Sequence, residues 1–231
     1  MATNASAAKS LVQTAIDAVN GYIRDKELRV GDTLPGEGYF AERLGVSRAV
    51  MREAFQALAA PKLIDVANGR KPRVGALDGS VIATSLDHAI STAQIKVIDV
   101  WDVRRTIEMR TAALAAANAT PAQAARILQL AELLETEDDG HQGATETDIA
   151  FHLAIAEASG NELFHQIVIS FVPLMKVAIP RAWGTRQTAE QRKDALDRHR
   201  RLAEAIAKGD AEGAQQWMAA HFDESIGALL R

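Results

Sequence analysis

Residues 34–58, LPGEGYFAERLGVSRAVMREAFQAL, constrain this chain more than any other stretch. A compact segment from Tyr39 to Leu44 is broken at Gly45. Ser47 then offers a hydroxyl that can cap a second helix by accepting from an orphan amide of its first turn. Beyond the cap, Val50, Ala54 and Leu58 recur at helical spacing and are expected to face inward, which leaves Arg48 and Arg52, one turn apart, on the outer face. Two short helices of this kind make a helix-turn-helix. The second helix of such a motif lies in the major groove, where arginine forks read guanine edges or clamp phosphates. The plain alternative is a helical hairpin with a solvated arginine pair, because short motifs recur by chance.

The next residues favour the DNA-binding reading. Leu63 to Val66 is a short apolar run with strand character, and Asn68-Gly69 is the dipeptide preferred by two-residue hairpin turns. Arg70, Lys71 and Arg73 surround a return strand that ends at Val74. A basic β-hairpin behind a helix-turn-helix is a winged helix, with Arg70 placed to probe a minor groove. The net charge of −4 resolves by region. Residues 1–75 hold 11 Lys and Arg against 8 Asp and Glu, a balance of +3; residues 76–231 hold 15 against 22, a balance of −7. The basic excess sits where DNA contacts are expected, and it is small enough that a dimer is needed for useful affinity.

The chain contains no Cys, which excludes a disulfide framework or a thiolate metal site and fits a reducing cytoplasm. No apolar segment follows a basic start, so neither secretion nor membrane insertion is expected. Residues 1–8 are small and polar and are expected to be disordered. The pattern predicts two domains. Residues 9–75 form the winged helix, opening with a helix from Lys9 to Asp25 that carries Leu11, Ala15, Val19 and Ile23 on one face. Residues 80–231 form an all-α bundle, with GALDGS at 75–80 as the linker. Helices are predicted over about 80–93, 95–119, 121–137, 144–159, 161–179, 189–208 and 211–230. No Walker or G-x-G-x-x-G phosphate loop is present.

Several polar residues fall on the predicted interior of that bundle. Asp148 and His152 are one turn apart and stack on one face, with Ile155 continuing the stripe. His199 lies among Leu196, Ala203 and Ile206, and His221 follows Met218. His199 stands ten residues before Gly209 and His221 ten after Ala211. In an antiparallel pair turning at Gly209-Asp210 the two imidazoles therefore face each other at one height. One carboxylate and three imidazoles suit a divalent metal such as zinc, with positions left for water or a ligand. Each histidine alone reads equally as a satisfied core or surface residue. Four buried polar groups without partners, however, would each cost about 1–3 kcal/mol. His88, His141 and His165 match no such geometry.

Arg104 shares a helix face with Val97, Trp101, Glu108 and Thr111. An inward arginine needs an anion, and its fork matches a carboxylate ligand; a salt bridge with Glu108 one turn away satisfies it as well. Trp101 and Trp183 are candidate pocket walls or plain core.

These motifs resemble a known family. LPGEGYFAERLGVSRAVMREAFQAL is similar to the winged helix-turn-helix of GntR-family transcriptional regulators. VWDVRRTIEMRTAALAAANAT resembles the opening helix of the FCD ligand-binding domain of the FadR subfamily. DIAFHLAIAEASGN resembles that domain's D-x-x-F-H-x-x-I-x-x-A-x-G-N signature. The two final His-bearing helices match its closing hairpin. The resemblance implies a homodimer on a palindromic DNA operator that responds to a small carboxylate effector, an organic or sugar acid. It implies metal ligands at Asp148, His152, His199 and His221, an anion-binding Arg104, and DNA contacts at Ser47, Arg48, Arg52 and the wing turn at Gly69. Three departures bear on the operator. Gly38 stands where an arginine is usual, Ala49-Val50 replace small polar residues, and Pro61-Lys62 replaces the usual glycine before the wing.

The expectation is a metabolite-responsive regulator, a repressor rather than an enzyme. A metal-dependent hydrolase or oxygenase built in the bundle is the rival, since open metal sites activate water. No general base or nucleophile beside the ligands supports it. A winged helix used for protein docking is the third reading.

Overall fold

The computed structural model describes residues 10–136 and 142–229. The predicted disorder of residues 1–8, and His141, lie outside the described residues. Packing divides the chain into two units, one ending at Asp78 and the other beginning at Gly79.

In the first unit, α1 (Leu11–Asp25) is capped by Ser10, whose side chain accepts from the Gln13 amide. Ala15 and Val19 are fully buried, whereas Leu11, at the helix start, is exposed. Helix α2 (Glu37–Leu44) closes on Gly45 with φ 66°, and α3 (Arg48–Ala59) opens with the Ser47 hydroxyl accepting from the Val50 amide at 3.2 Å. The inward face of α3 is Met51, Ala54, Phe55 and Leu58. Val50, expected in that stripe, is half-buried at its edge. Phe55 packs on Phe40, which in turn meets Tyr22 edge-on at 5.5 Å. A buried aromatic ring stabilises by about 1.5–3 kcal/mol, so this stack does much to fix α1, α2 and α3 together.

Strands β1 (Ile64–Asp65) and β2 (Arg73–Val74) pair antiparallel, Ile64 opposite Val74 and Asp65 opposite Arg73. Thr33 bridges to Arg73, and the Leu34 amide donates to Pro72, so the loop before α2 widens this sheet. Residues 66–72 connect the strands, which corrects the expected two-residue hairpin. Asn68-Gly69 still turns the chain, with the Arg70 amide donating to the Ala67 carbonyl, but only Gly69 is left-handed (φ 75°). The tight hairpin turn favoured by Asn-Gly requires positive φ at both central residues.

The wing base corrects the linker as well. Gly75 donates to Leu63, and a Cβ on it would lie 1.9 Å from the Lys62 carbonyl oxygen. Gly79 is buried in the second unit, its amide held by the Gln166 side chain at 2.7 Å. The linker is thereby shortened to residues 76–78. Lys62 itself sits at φ 61°, in the left-handed region. This explains why a glycine is the natural occupant there.

The second unit is helical: α4 (Gly79–Ser91), α5 (Val97–Asn118), α6 (Pro121–Thr136), α7 (Gln142–Ala158), α8 (Glu162–Ser170), α9 (Val172–Gly184), α10 (Ala189–Ala207) and α11 (Ala211–Leu229). Thr120 caps α6 as expected, its hydroxyl accepting from the Gln123 amide. The single helix predicted over 161–179 is two helices bent by 60° at Phe171. Pro173 in the first turn of α9 supplies the reason, because its ring excludes the carbonyl four residues back and it has no amide to donate. Helix α5 packs against α7, α10 and α11. It buries Trp101, Arg104, Glu108 and Thr111, while Val97, predicted for the same face, is 41% exposed at its start. Helices α10 and α11 form a hairpin through Gly209 (φ 72°), with Asp210 accepting from the Gly213 amide. Among the described residues no single helix is long and apolar enough to cross a membrane.

Candidate metal centre and DNA-reading surface

The cap at Ser47 and the buried Met51–Phe55 face turn the opposite side of α3 outward. Arg48 and Arg52 are both exposed, with Arg52 3.7 Å from Glu37 on α2. Ser47 is exposed even while it caps the helix. Gly69 and Arg70 occupy the exposed turn of the wing. The Arg73 guanidinium is committed elsewhere, donating to the Gly31 carbonyl at 2.9 Å and bracing the wing base.

In the second unit Asp148, His152, His199 and His221 are all buried and converge. The ligand nitrogens of the three histidines lie within 4.8 Å of one another. Asp148 Oδ1 stands 3.2 Å from His152 Nε2 and 3.7 Å from His199 Nε2. Tetrahedral zinc with bonds of ~2.0–2.1 Å spaces its donors by about 3.3 Å. The Asp148–His152 separation matches that spacing, and the other donors stand somewhat wider. The rings of His199 and His221 are 4.6 Å apart, as equal offsets from the α10–α11 turn require.

The far nitrogens of two rings are fixed from outside. His199 Nδ1 donates to the Ala195 carbonyl at 2.9 Å, and His152 Nδ1 lies 2.5 Å from Glu108 on α5. Both rings therefore present Nε2 to the centre, the outer-shell arrangement that orients metal-binding histidines. Asp148 Oδ1 and His199 Nε2 are buried without hydrogen-bond partners among the described residues. Orphaned acceptors facing one another at this spacing are the donor set a divalent cation satisfies.

The electrostatics follow from the burial. Burial opposes the charge on His152, but Glu108 and Asp148 outweigh it and raise the imidazole to about 9. For Asp148 burial works upward, and the adjoining His152 and His199 overcome it, holding the carboxyl well below its usual range. Glu108 is likewise opposed by burial and lowered by Arg104 and His152. His221 is pushed well below its usual value by burial and by the neighbouring His199 and His152, so its ring is neutral.

Of the two sequence readings of Arg104, the salt bridge with Glu108 is present. The Arg104 Nε donates to Glu108 at 2.8 Å, and its guanidinium lies 5.1 Å from the rings of both Trp101 and Phe222. Its Nη1 is buried and has no hydrogen-bond partner among the described residues. Arg104 lines a chamber of about 20 Å³ together with Asp148, His152, His221, Trp101 and Trp183. Glu108, expected from the sequence only as a rival partner for Arg104, also holds His152. Arg186, which carries no expectation from the sequence, closes the same chamber. It follows Trp183 by three residues on the polar stretch Gly184–Thr188, which was a visible signal.

A winged helix followed by a helical domain with a buried, histidine-lined chamber defines a class: DNA-binding regulators with an internal sensor. The chain belongs to the GntR family of bacterial regulatory proteins. Residues 11–74 match the gntR-family model, and residues 99–224 match the FCD domain. It is 32% identical to the HTH-type transcriptional regulator LutR of Bacillus subtilis over 86% of this chain and 92% of that protein. It is 29% identical to the Glc operon transcriptional activator of Escherichia coli over 86% and 80%. It is 27% identical to the Escherichia coli galactonate operon transcriptional repressor over 80% and 82%. Among solved structures, the fold resembles Streptococcus agalactiae GntR with TM-score 0.67 and 24% identity over 92% of this chain and 97% of that one. The protein is a transcriptional regulator and not an enzyme.

Proposed function

We propose that this regulator is a cytoplasmic homodimeric repressor that binds a palindromic double-stranded operator and releases it when a small 2-hydroxycarboxylate enters the helical unit. Asp148, His152, His199 and His221 would hold a divalent ion, with zinc the best match to three imidazoles and a carboxylate. A bound ion supplies Lewis-acid attraction for oxygen donors at a centre otherwise lined by Arg104 and tryptophan. Arg104 keeps Nη1 directed to a second carboxylate oxygen, while Glu108 fixes Arg104 and His152 in register.

The observation that carries this reading is the convergence of orphaned donors, Asp148 Oδ1 and His199 Nε2, beside an arginine with one unused fork nitrogen. Relatives support the ligand class. One is the galactonate operon repressor, and another, 30% identical, is a putative L-lactate dehydrogenase operon regulatory protein of Escherichia coli; lactate and galactonate are both 2-hydroxy acids. Ligand entry must favour one arrangement of the helices over another to act on the operator. On the DNA side, Ser47, Arg48 and Arg52 on the recognition helix and Gly69 and Arg70 at the wing tip form the contact surface, with Arg48 and Arg52 as its principal cations.

Metal analysis of purified protein tests the centre: His199→Ala is expected to lose stoichiometric zinc, and full retention refutes the ligand assignment. A thermal-shift screen of 2-hydroxy acids, with and without chelator, tests the sensor. A true effector raises the melting temperature by mass action only in the metal-loaded protein. Arg48→Ala and Arg52→Ala are expected to abolish operator retardation while the dimer stays folded; unchanged binding in both counts against the surface.

A further inference from the structure

Among the described residues the chain carries two Asn-Gly dipeptides, Asn20-Gly21 and Asn68-Gly69, and their surroundings are opposite. Glycine after asparagine matters because it has no side chain to shield its own amide nitrogen, which can then reach the asparagine side-chain carbonyl carbon. Asn20 and Gly21 lie inside α1, where each interior amide is committed to the helix ladder. Attack there would require unwinding a turn that carries the buried Val19. Asn118 donates to the Ser159 carbonyl at 2.8 Å, and Asn161 caps α8 by accepting from the Leu163 and Phe164 amides, so both of those side chains are engaged.

Asn68 and Gly69 are both exposed at the tip of the wing. Among the described residues no hydrogen bond involves the Asn68 side chain or the Gly69 amide; the turn closes instead through the Arg70 amide, which donates to the Ala67 carbonyl at 3.2 Å. Gly69 stands at φ 75°, and a Cβ added to it would meet nothing within 4 Å. The nitrogen is therefore unshielded, and water has free access to it. The cations of Arg70 and Lys71 follow directly and favour the anionic nitrogen that attacks.

We propose that Asn68 is a site of spontaneous modification, by which the wing acquires a carboxylate beside its cations and loses hold of the operator as the protein ages. The Gly69 nitrogen gives up its proton and bonds to Asn68 Cγ; the Cγ–Nδ2 bond breaks, and Nδ2 leaves as ammonia with that proton. Solvent water then opens the five-membered imide. Opening at Cγ gives aspartate, and opening at the main-chain carbonyl gives isoaspartate, whose backbone runs through the side chain and is one carbon longer. Either product ends in a carboxylate. Residues 66–72 carry two cations, Arg70 and Lys71, and no acid, so one new negative charge takes that segment from +2 to +1. The consequence for DNA rests on the proposed contact at Gly69 and Arg70; the covalent chemistry does not.

Full-length protein held in warm, mildly alkaline buffer and sampled over time tests it. Peptide mass spectrometry follows the amide-to-acid change at both dipeptides, and retardation of a duplex selected from a random library by fresh protein follows operator affinity. Asn68 is expected to convert while Asn20 keeps its amide. Affinity should fall in step by about tenfold, with a salt dependence shallower by about one unit per wing. Asn68→Gln, whose longer side chain disfavours the five-membered ring, should show no such loss on ageing, and Asn68→Asp should begin with the weakened affinity. An Asn68 that keeps its amide, or that converts no faster than Asn20, overturns the modification site. Parent-like binding by Asn68→Asp while Arg70→Ala binds weakly overturns the loss of hold and leaves the wing contact standing. Parent-like binding by both overturns the proposed wing contact along with it.

Discussion

Glu108→Gln is the most revealing single change in the sensor, because one carboxylate serves two cations. Its oxygens lie 2.8 Å from Arg104 Nε and 2.5 Å from His152 Nδ1, and all three side chains are at most 2% exposed. Glutamine keeps a carbonyl acceptor for one of them but removes the charge that both require. Loss of an outer-shell partner typically lowers metal affinity by about 10–100-fold. Breaking a buried ion pair from one side costs about 3–5 kcal/mol, since the remaining charge is stranded. Retention of the amide places the expected loss near the lower end of that range. Competition for zinc against a chelating dye measures the first effect, and urea unfolding with a chelator present measures the second in the metal-free protein. Arg104→Met combined with Glu108→Gln should be less destabilised than the sum of the single changes, because the double variant leaves no stranded guanidinium. If Glu108→Gln bound zinc like the parent and unfolded within about 0.5 kcal/mol of it, the idea that Glu108 orients the centre would be wrong.

Lys62→Gly should stabilise the first unit by about 1 kcal/mol, because it relieves a left-handed lysine at φ 61°; urea unfolding showing no gain would contradict this. Gly75→Ala should destabilise it by more, since the added carbon would meet the Lys62 backbone, and a neutral result would mean that the wing base yields easily. Zinc binding near neutral pH should expel a proton from His152, whose imidazole is raised to about 9 in the metal-free site. Apparent affinity should therefore rise with pH toward that value, and calorimetric enthalpies should differ between buffers of unlike ionisation heat; identical enthalpies would exclude the exchange. The sign for folding is opposite. In the metal-free protein, stability from the paired His152 is complete below its unfolded value near 6.5 and is lost as pH rises through about 9.

Local periodicity carried much of this molecule in plain view. The Asp148–His152 pair is a one-turn relation, and the His199–His221 meeting follows from equal distances to one turn, so both were legible without coordinates. The cap at Ser47 was legible for the same reason. What escaped depended on contacts between distant segments. Glu108 was visible as a neighbour of Arg104, but its contact with His152 crosses from α5 to α7, and no spacing within either helix announces it. The inward stripe of α3 is centred on Met51 and Phe55 rather than Val50, because the Phe40–Tyr22 stack decides which side of the helix is covered. The break at Phe171 is signalled by Pro173 but masked by apolar periodicity that continues across it. At the wing, Asn68-Gly69 marks a turn correctly, but the strand pairing around it is set by the Lys62–Gly75 approach.

Arg104 and Arg105 are consecutive on α5 and grip α11 from two sides. The first presses its guanidinium against Phe222 from within the chamber, and the second holds Asp223 through both carboxylate oxygens at 2.7 and 3.0 Å. With His221 just before them, three adjoining residues of α11 are tied to what occurs around α5. A small roll of either helix is therefore geared to the other, and the outermost tooth of that gear stands at the protein surface, where it can be filed away without touching the chamber.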